Sequence, residues 1–454
     1  MIRCIKNICC ILLVIVLVPA VASAGQIENF LNLLVSPAEG KTVFIEATCT
    51  VKAVPQFSEQ RINWLNDLLK HLTFQITAGK NVQEESILVD GKPSIGFISR
   101  EGIQGQEINF SFDPETIYRP ETDANILTGL SGMETEITAF SYYSELHQLL
   151  SGFYEYFTAM PDQFPDACTW SKISVQYKGY GTAVKRCAIS LPEETFTSKE
   201  MTDFIDSLEP GPARDMLSHM VYSGRQRYTI LLDENNKPMK INYTGRSGLS
   251  AESMRNVNVD WRCLRGEKGY KDILKLTNPA VNGNNRKNVT LTREMVIAED
   301  ETESMNASVE TDFVEDRVRT RTVCKIQLGY QDDQISGNVT ERTVIGGNSD
   351  LKTLQINMTG SELEEYTGTL EIAQEMNKIE KNHILIQFAL SSGEESVWKA
   401  GNTVLLKEKD FPVLAQRLTR SFLKSLLSLP AEDLQFILAD LPVGSLDELK
   451  KEQP

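Results

Sequence analysis

The chain has 454 residues, with 62 acidic and 46 basic side chains and a formal net charge of −16. This length exceeds one ordinary hydrophobic core and favours two or three domains or one elongated sheet-rich body, and a hydrophobic fraction of 41% excludes global disorder. Nucleic acid and anionic membranes are disfavoured as partners, because both repel an acidic surface.

The first 24 residues have the organisation of a secretory signal peptide. Two basic residues precede a short apolar stretch at 8–18, and Ala22 and Ala24 supply the small residues that signal peptidase requires. The apolar stretch is too short for a membrane-spanning helix, and no later stretch reaches that length. We therefore predict cleavage between Ala24 and Gly25, a secreted or extracytoplasmic mature protein, and no integral membrane segment after cleavage.

Residues 25–135 are predicted to form a first strand–helix–hairpin unit. Apolar residues alternate from 43 to 51, which is typical of a strand with one buried face. Ser58 is placed to cap the amphipathic helix that follows. An Asp-Gly pair at 90–91 separates two apolar runs and predicts a tight hairpin turn.

Residues 136–280 are predicted to combine an aromatic-rich helix with a second strand–helix–hairpin unit. Strand patterns flank a Gly-Tyr-Gly turn at 179–181, and Thr197 and Glu200 match a capping box. A Pro-Gly-Pro sequence then divides the helical region in two, and turn residues at 233–236 predict another hairpin.

Residues 281–454 are predicted to form an antiparallel β meander that ends in a C-terminal helix pair. Strand-forming runs separated by short polar turns fill 288–380. The windows 204–220 and 422–438 share six identical residues out of seventeen, which indicates an internal duplication.

The predicted fold class is α+β: a predominantly antiparallel meander covered by amphipathic helices, with an internally duplicated strand–helix unit. A curved sheet covered by helices, behind a signal peptide, resembles the bacterial lipoprotein-carrier architecture. This resemblance concerns the fold and transfers no site residues.

No catalytic motif in the sequence has all of its required partners. S-x-x-K occurs at 396–399 and 421–424, but the K-T-G sequence that accompanies it in penicillin-recognising enzymes is absent. The four histidines are unclustered and lack metal-ligand spacing. We therefore predict a protein that is not an enzyme and uses neither a metal nor a cofactor.

Five cysteines follow the signal peptide, and their odd number and wide spacing argue against a disulfide scaffold. Cys49 and Cys263 fall on the apolar faces of predicted strands and are expected to be buried. Cys168 and Cys187 flank a predicted hairpin and are the best candidates for a disulfide.

The segment 140–157 holds seven aromatic residues in eighteen. Tyr142, Tyr154 and Tyr156 lie largely outside the apolar stripe, and rings with polar tips suit a ligand groove that is part apolar and part wet. Packing beneath a domain junction is the alternative. With three aromatics from the next hairpin, the candidate ligand-binding residues are Tyr142, Tyr154, Tyr156, Trp170, Tyr177 and Tyr180.

The expected function is a secreted, non-enzymatic binding or scaffold protein for an unknown ligand or protein partner. One alternative is an extracytoplasmic carrier of a hydrophobic ligand, which needs an apolar cavity. The other is an extracellular hydrolase with a dispersed site, which needs convergent polar groups with shifted pKa values.

Overall fold

The computed structural model describes residues 27, 41–55, 57–79, 82–102, 105–111, 113–120, 138–250, 254–266, 268–278, 286–315, 318–360, 365–394, 402–407 and 410–438. The predicted signal peptide, its cleavage site and the predicted domain boundaries at 135/136 and 280/281 lie outside these residues.

Twenty β-strands have bounds within the described part of the chain. In chain order they are β1 (Lys41–Ala53), β2 (Leu72–Gly79), β3 (Val82–Val89), β4 (Lys92–Gly102), β5 (Gly105–Phe110), β6 (Asp113–Pro120), β7 (Cys168–Tyr177), β8 (Gly181–Leu191), β9 (Val221–Leu232), β10 (Pro238–Gly248), β11 (Arg255–Gly266), β12 (Gly269–Asn278), β13 (Arg286–Ile297), β14 (Glu303–Glu315), β15 (Val318–Gln331), β16 (Gln334–Ile345), β17 (Asn348–Thr359), β18 (Glu365–Met376), β19 (Ile379–Glu394) and β20 (Asn402–Leu406).

The strands form one sheet in which most partners are neighbours in sequence. The order runs from β7 through β19, continues with β1 through β6, and ends with β20 parallel to β6. The first strand therefore pairs with both β19 and β2, which joins the N-terminal unit to the end of the meander. The predicted antiparallel meander is confirmed, and the described chain is mostly β.

The hairpin predicted at the Asp-Gly pair is confirmed. Asp90 and Gly91 both have positive φ, 48° and 73°, as a type I′ turn requires. They connect β3 to β4.

Six α-helices have bounds among the described residues, namely α1 (Glu59–Leu69), α2 (Thr138–Gln163), α3 (Lys199–Ser207), α4 (Pro212–His219), α5 (Phe411–Leu426) and α6 (Gln435–Leu438). Ser58 caps α1 as predicted, since its side chain accepts a hydrogen bond from the backbone N–H of Arg61. The cap of α3 is Ser198 and not Thr197, because Ser198 has extended backbone angles and its hydroxyl accepts from the N–H of Met201. None of the helices described is long and apolar enough to cross a bilayer.

Two large apolar clusters pack along one face of the sheet. The first joins β1–β3 and β13–β19 to α1, α5 and α6, and the second joins β8–β11 to α2, α3 and α4. Leu291 belongs to the second cluster and Met295 to the first, so the two clusters meet on β13. Cys49 and Cys263 are buried, as predicted, in the first and second cluster respectively.

Candidate functional site

A recess of about 480 Å³ opens between the edge strand β7 and the C-terminal end of α2. It is lined by Thr158, Pro161, Asp162, Trp170, Ser171, Lys172, Lys185, Leu232 and Asn236. Leu232 belongs to the second apolar cluster, so the recess lies at the margin of that cluster, on the same face of the sheet.

Trp170 is the aromatic residue of this recess, and 50% of its surface is exposed. Among the described strands β7 pairs only with β8, which leaves its outer edge without a strand neighbour. An indole exposed to this extent loses hydrophobic stabilisation that burial would provide, and an apolar surface rimmed by polar groups is typical of binding sites.

Two lysines face one another beside Trp170. Lys172 and Lys185 are directly opposite in the β7–β8 register, an arrangement that destabilises a sheet when the charges are alike. The Lys185 ammonium donates a hydrogen bond to Asn236 Oδ1 at 2.7 Å. Asp162 supplies a carboxylate to the same recess. The arrangement can therefore hold a ring on the indole and an anionic group on the two ammonium groups.

A local shift in register creates this arrangement. The pairing changes by one residue between Lys172 and Val175. Continuing the register of the turn-proximal pairs, such as Val175 with Ala183, would place Lys172 opposite Arg186. A bulge of this kind reverses which side chains share a face.

A larger recess of about 980 Å³ lies on β14–β17. Its lining includes Lys325, whose neighbour Ile326 is buried in the first cluster, so this recess is on the opposite face of the sheet. Arg319 forms a two-point contact with Asp312 at 2.7 and 3.0 Å. Arg321 lies 2.8 Å from Glu310. The lining contains no aromatic side chain, and carboxylates already bind two of its cations, which makes it the weaker candidate.

Two of the predicted tyrosines pack against the second cluster. Tyr156 is 2% exposed and stacks on Phe204 with ring centroids 5.4 Å apart, so it does not line an open groove. Tyr154 is half-buried, and burial raises its pKa to about 12. Its ring lies 4.9 Å from the guanidinium carbon of Arg265.

Tyr177 and Tyr180 are not among the residues that line the recess. Tyr177 and Tyr180 pack against a small cluster that includes Leu264, and burial raises the pKa of both phenols. The side chain of Tyr142 is outside the described residues. The six predicted residues therefore do not form one site, and only Trp170 lines the recess.

The recess also contains functional candidates that sequence reasoning missed, namely Lys172, Lys185, Asp162 and Asn236. Lys172 is two residues from Trp170 on the same strand, a spacing that places both on one face and could have drawn attention to it. The pairing of Lys172 with Lys185 depends on the register shift and has no local sequence signal. Within the part of the chain that the structure describes, no group of three His, Cys, Asp or Glu side chains is placed to bind a metal.

No family model and no curated protein matches the chain. Solved structures that are similar to the chain include a loop-deletion mutant of OmpT, an outer membrane protein of Vibrio cholerae. The match has 6% sequence identity, covers 78% of this chain and 100% of that one, and gives a TM-score of 0.26. OprB of Pseudomonas putida has 8% identity, covers 78% of this chain and 91% of its own, and gives a TM-score of 0.28. At these values the likenesses carry no inference about fold or function.

Proposed function

We propose that this is a secreted, non-enzymatic binding protein whose ligand occupies the recess beside Trp170. The observation that carries the proposal is the half-exposed indole at the wall of a recess of about 480 Å³ with two facing lysines. Pockets for small ligands have roughly 300–1,000 Å³ and place a few polar groups around an apolar surface.

The chemistry of the lining favours an acidic sugar. A flat indole packs well against the apolar face of a sugar ring. The ammonium groups of Lys172 and Lys185 form charge-assisted hydrogen bonds with a carboxylate or phosphate. Ser171, Asp162 and Asn236 offer donors and acceptors for hydroxyl groups.

Calorimetric titration of the mature protein with glucuronate, and with glucose as its neutral counterpart, tests this proposal. Wild type is expected to bind glucuronate more tightly than glucose. Trp170→Ala is expected to weaken the affinity for both sugars by about tenfold or more, and tenfold is equivalent to about 1.4 kcal/mol. Lys185→Gln removes the charge at nearly constant size and should weaken glucuronate alone.

The matched control is Leu249→Ala, which removes an apolar side chain that is 63% exposed and does not line the recess. It should leave both affinities unchanged. Absence of binding by wild type, or equal binding by the Trp170→Ala variant, would contradict the proposal. Hydrolysis of a glucuronide, which has a glycosidic bond to cleave, would instead favour the hydrolase.

A carrier of a hydrophobic ligand is the second candidate, and it would need an apolar cavity between the sheet and its helices. That region is occupied by buried side chains, of which Leu65, Leu68 and Phe436 are fully buried. Binding of a fluorescent fatty acid that is insensitive to Trp170→Ala would favour the carrier.

We further propose that the helix pairs α3–α4 and α5–α6 derive from a duplication. In each pair a buried phenylalanine, Phe204 or Phe422, precedes a break at Pro212 or Pro430. The two phenylalanines are 5% and 6% exposed, but they belong to different apolar clusters.

A further inference from the structure

Two cysteine sulfurs meet at the base of the β7–β8 hairpin. Cys187 Sγ lies 3.2 Å from Cys168 Sγ, and both side chains carry free thiols. Cys187 is fully buried, whereas Cys168 is half-buried and its sulfur also contacts the carbonyl oxygen of Phe164 at 3.3 Å. The Cys168 thiol therefore lies where β7, β8 and the end of α2 converge.

The register shift of the hairpin is what brings these sulfurs together. Without it, Cys187 would lie opposite Ser171, and Cys168 would point to the other face of the sheet. With the shift, Cys187 lies opposite Trp170, and the side chains of Cys168 and Cys187 are on the same face of the sheet. The bulge that forms the recess thus also aligns the two thiols.

We infer that Cys168 and Cys187 form a disulfide in the exported protein, and that this bond holds edge strand β7 against β8 beside the Trp170 recess. The bond itself rests on the cysteine geometry alone, and its effect on ligand binding rests on the proposed function. An edge strand with one partner separates from its sheet more readily than a central strand, so a cross-link has most effect there.

Oxidation requires an acceptor of two electrons, which a dithiol–disulfide oxidoreductase of an oxidising compartment supplies in its disulfide form. The more exposed Cys168 thiolate attacks that disulfide and releases one oxidoreductase thiol. Cys187 then loses its proton and attacks Cys168 Sγ, which releases the second thiol. One sulfur–sulfur bond forms in this protein, one breaks in the oxidant, and the two thiol protons end on the oxidant.

The other three cysteines are expected to stay reduced. Cys49 on β1 and Cys324 on β15 lie in the first cluster, on strands that are not neighbours in the sheet. Cys263 lies in the second cluster, and its sulfur donates to the carbonyl oxygen of Pro238 at 3.4 Å. Among the described cysteines only Cys168 and Cys187 have sulfurs in contact.

Thiol titration of the mature, exported protein in denaturant tests the bond. Three free thiols are expected, and five would overturn the inference. Trypsin cleaves after Lys172, Arg186 and Lys199, so the two cysteines fall in separate peptides. Those peptides should co-migrate without reductant and separate with it. A bridge to Cys49, Cys263 or Cys324 would also overturn the inference.

The stabilising role has its own measurement. Reductant should lower the Tm of wild type by on the order of 5 °C and should leave that of Cys168→Ser unchanged. Cys324→Ser is the matched control and should retain the reductant-dependent shift. Loss of glucuronate affinity on reduction would link the bond to the recess. An intact bridge whose reduction changes neither Tm nor affinity would refute its stabilising role.

Discussion

Tryptophan has two different environments in this protein: Trp261 is a buried member of the second cluster, whereas Trp170 lines the recess at its margin. Trp261 is 2% exposed, and its indole N–H donates to Asp272 at 3.0 Å. Trp170 is 50% exposed and has polar neighbours on the recess wall. A buried indole stabilises the fold through area and a satisfied N–H, whereas an exposed one is available to a ligand.

The difference in burial predicts opposite effects of truncation at two aromatic residues. Tyr156→Ala should lower the free energy of unfolding by about 3–5 kcal/mol, because it removes a fully buried ring. Trp170→Ala should change stability by less than about 1 kcal/mol. Urea unfolding of both variants measures this. A stable Tyr156→Ala variant with impaired ligand binding would instead restore Tyr156 to the ligand site.

Asp272 is a buried carboxylate between the two apolar clusters. It lies 2.6 Å from Arg293 Nε and 3.0 Å from Arg265 Nη1, and Arg293 is 2% exposed. Asp272→Ala should lower the free energy of unfolding by about 3–5 kcal/mol, since it removes the carboxylate that compensates the charge of a buried guanidinium. Asp260→Ala is the control: its pair with Lys240 at 3.2 Å is at the surface and should contribute under about 1 kcal/mol. Equal losses of unfolding free energy in the two variants, measured by chemical denaturation, would contradict the greater importance of Asp272.

At the scale of elements, the two helix pairs are expected to stabilise separate parts of the sheet. Phe204→Ala and Phe422→Ala should each lower the free energy of unfolding by about 3–5 kcal/mol, because both rings are buried. Since they belong to different clusters, the double variant should show additive losses within about 0.5 kcal/mol. Val413→Ala on α5, at a position that is 60% exposed, is the control. Strong coupling in the double-mutant cycle would contradict two independent clusters.

A histidine connects the chain near α6 to the turn between β3 and β4. His71 Nδ1 lies 2.7 Å from Asp90 Oδ1, and His71 Nε2 lies 3.0 Å from Asp433 Oδ2. Burial lowers the pKa of His71, but hydrogen bonds to the two carboxylates outweigh it, and the pKa is raised from 6.5. The hydrogen bond from Lys70, followed by that from His71, lowers the pKa of Asp433.

This geometry predicts a pH-dependent stability. Because the folded state raises the pKa of His71, its contribution is complete below 6.5 and is lost as the pH rises through the raised value. Asp433 acts oppositely, and its contribution is lost only as the pH falls through its lowered pKa. The free energy of unfolding, measured with urea, should be lower at about pH 8.5 than at about pH 5.5. His71→Gln should abolish this difference. His219→Gln changes an exposed histidine and should preserve the difference between the two pH values. Loss of the difference in this variant would contradict its assignment to His71.

At the scale of the whole molecule, Ile27, which follows the predicted cleavage site, contacts the middle of the meander. Ile27 is fully buried in the first cluster, and its N–H donates to Glu303 Oε2 at 2.9 Å. N-terminal sequencing of exported protein should read Gly-Gln-Ile-Glu, which leaves Ile27 in the mature chain. Retention of Arg3 would show that no cleavage occurred.

Local structure was predictable because its causes lie within a few residues. The alternation around Val43 predicts β1, the Asp90-Gly91 pair predicts the turn between β3 and β4, and Ser58 predicts the start of α1. Burial of Cys49 and Cys263 followed from strand periodicity. Each is set by backbone sterics, a local hydrogen bond or the two-residue period of a strand.

Only the tertiary structure decided which distant residues meet. β1 pairs with β19 more than 300 residues later, a contact that depends on packing of the assembled sheet rather than on any local pattern. The register shift in β7 sets Lys172 opposite Lys185 and brings Cys168 to Cys187. Tyr156 and Trp170 are both aromatic in sequence, and the position of α2 over the sheet buries one and exposes the other. Sequence alone determined the elements, whereas side-chain packing between them determined the candidate site.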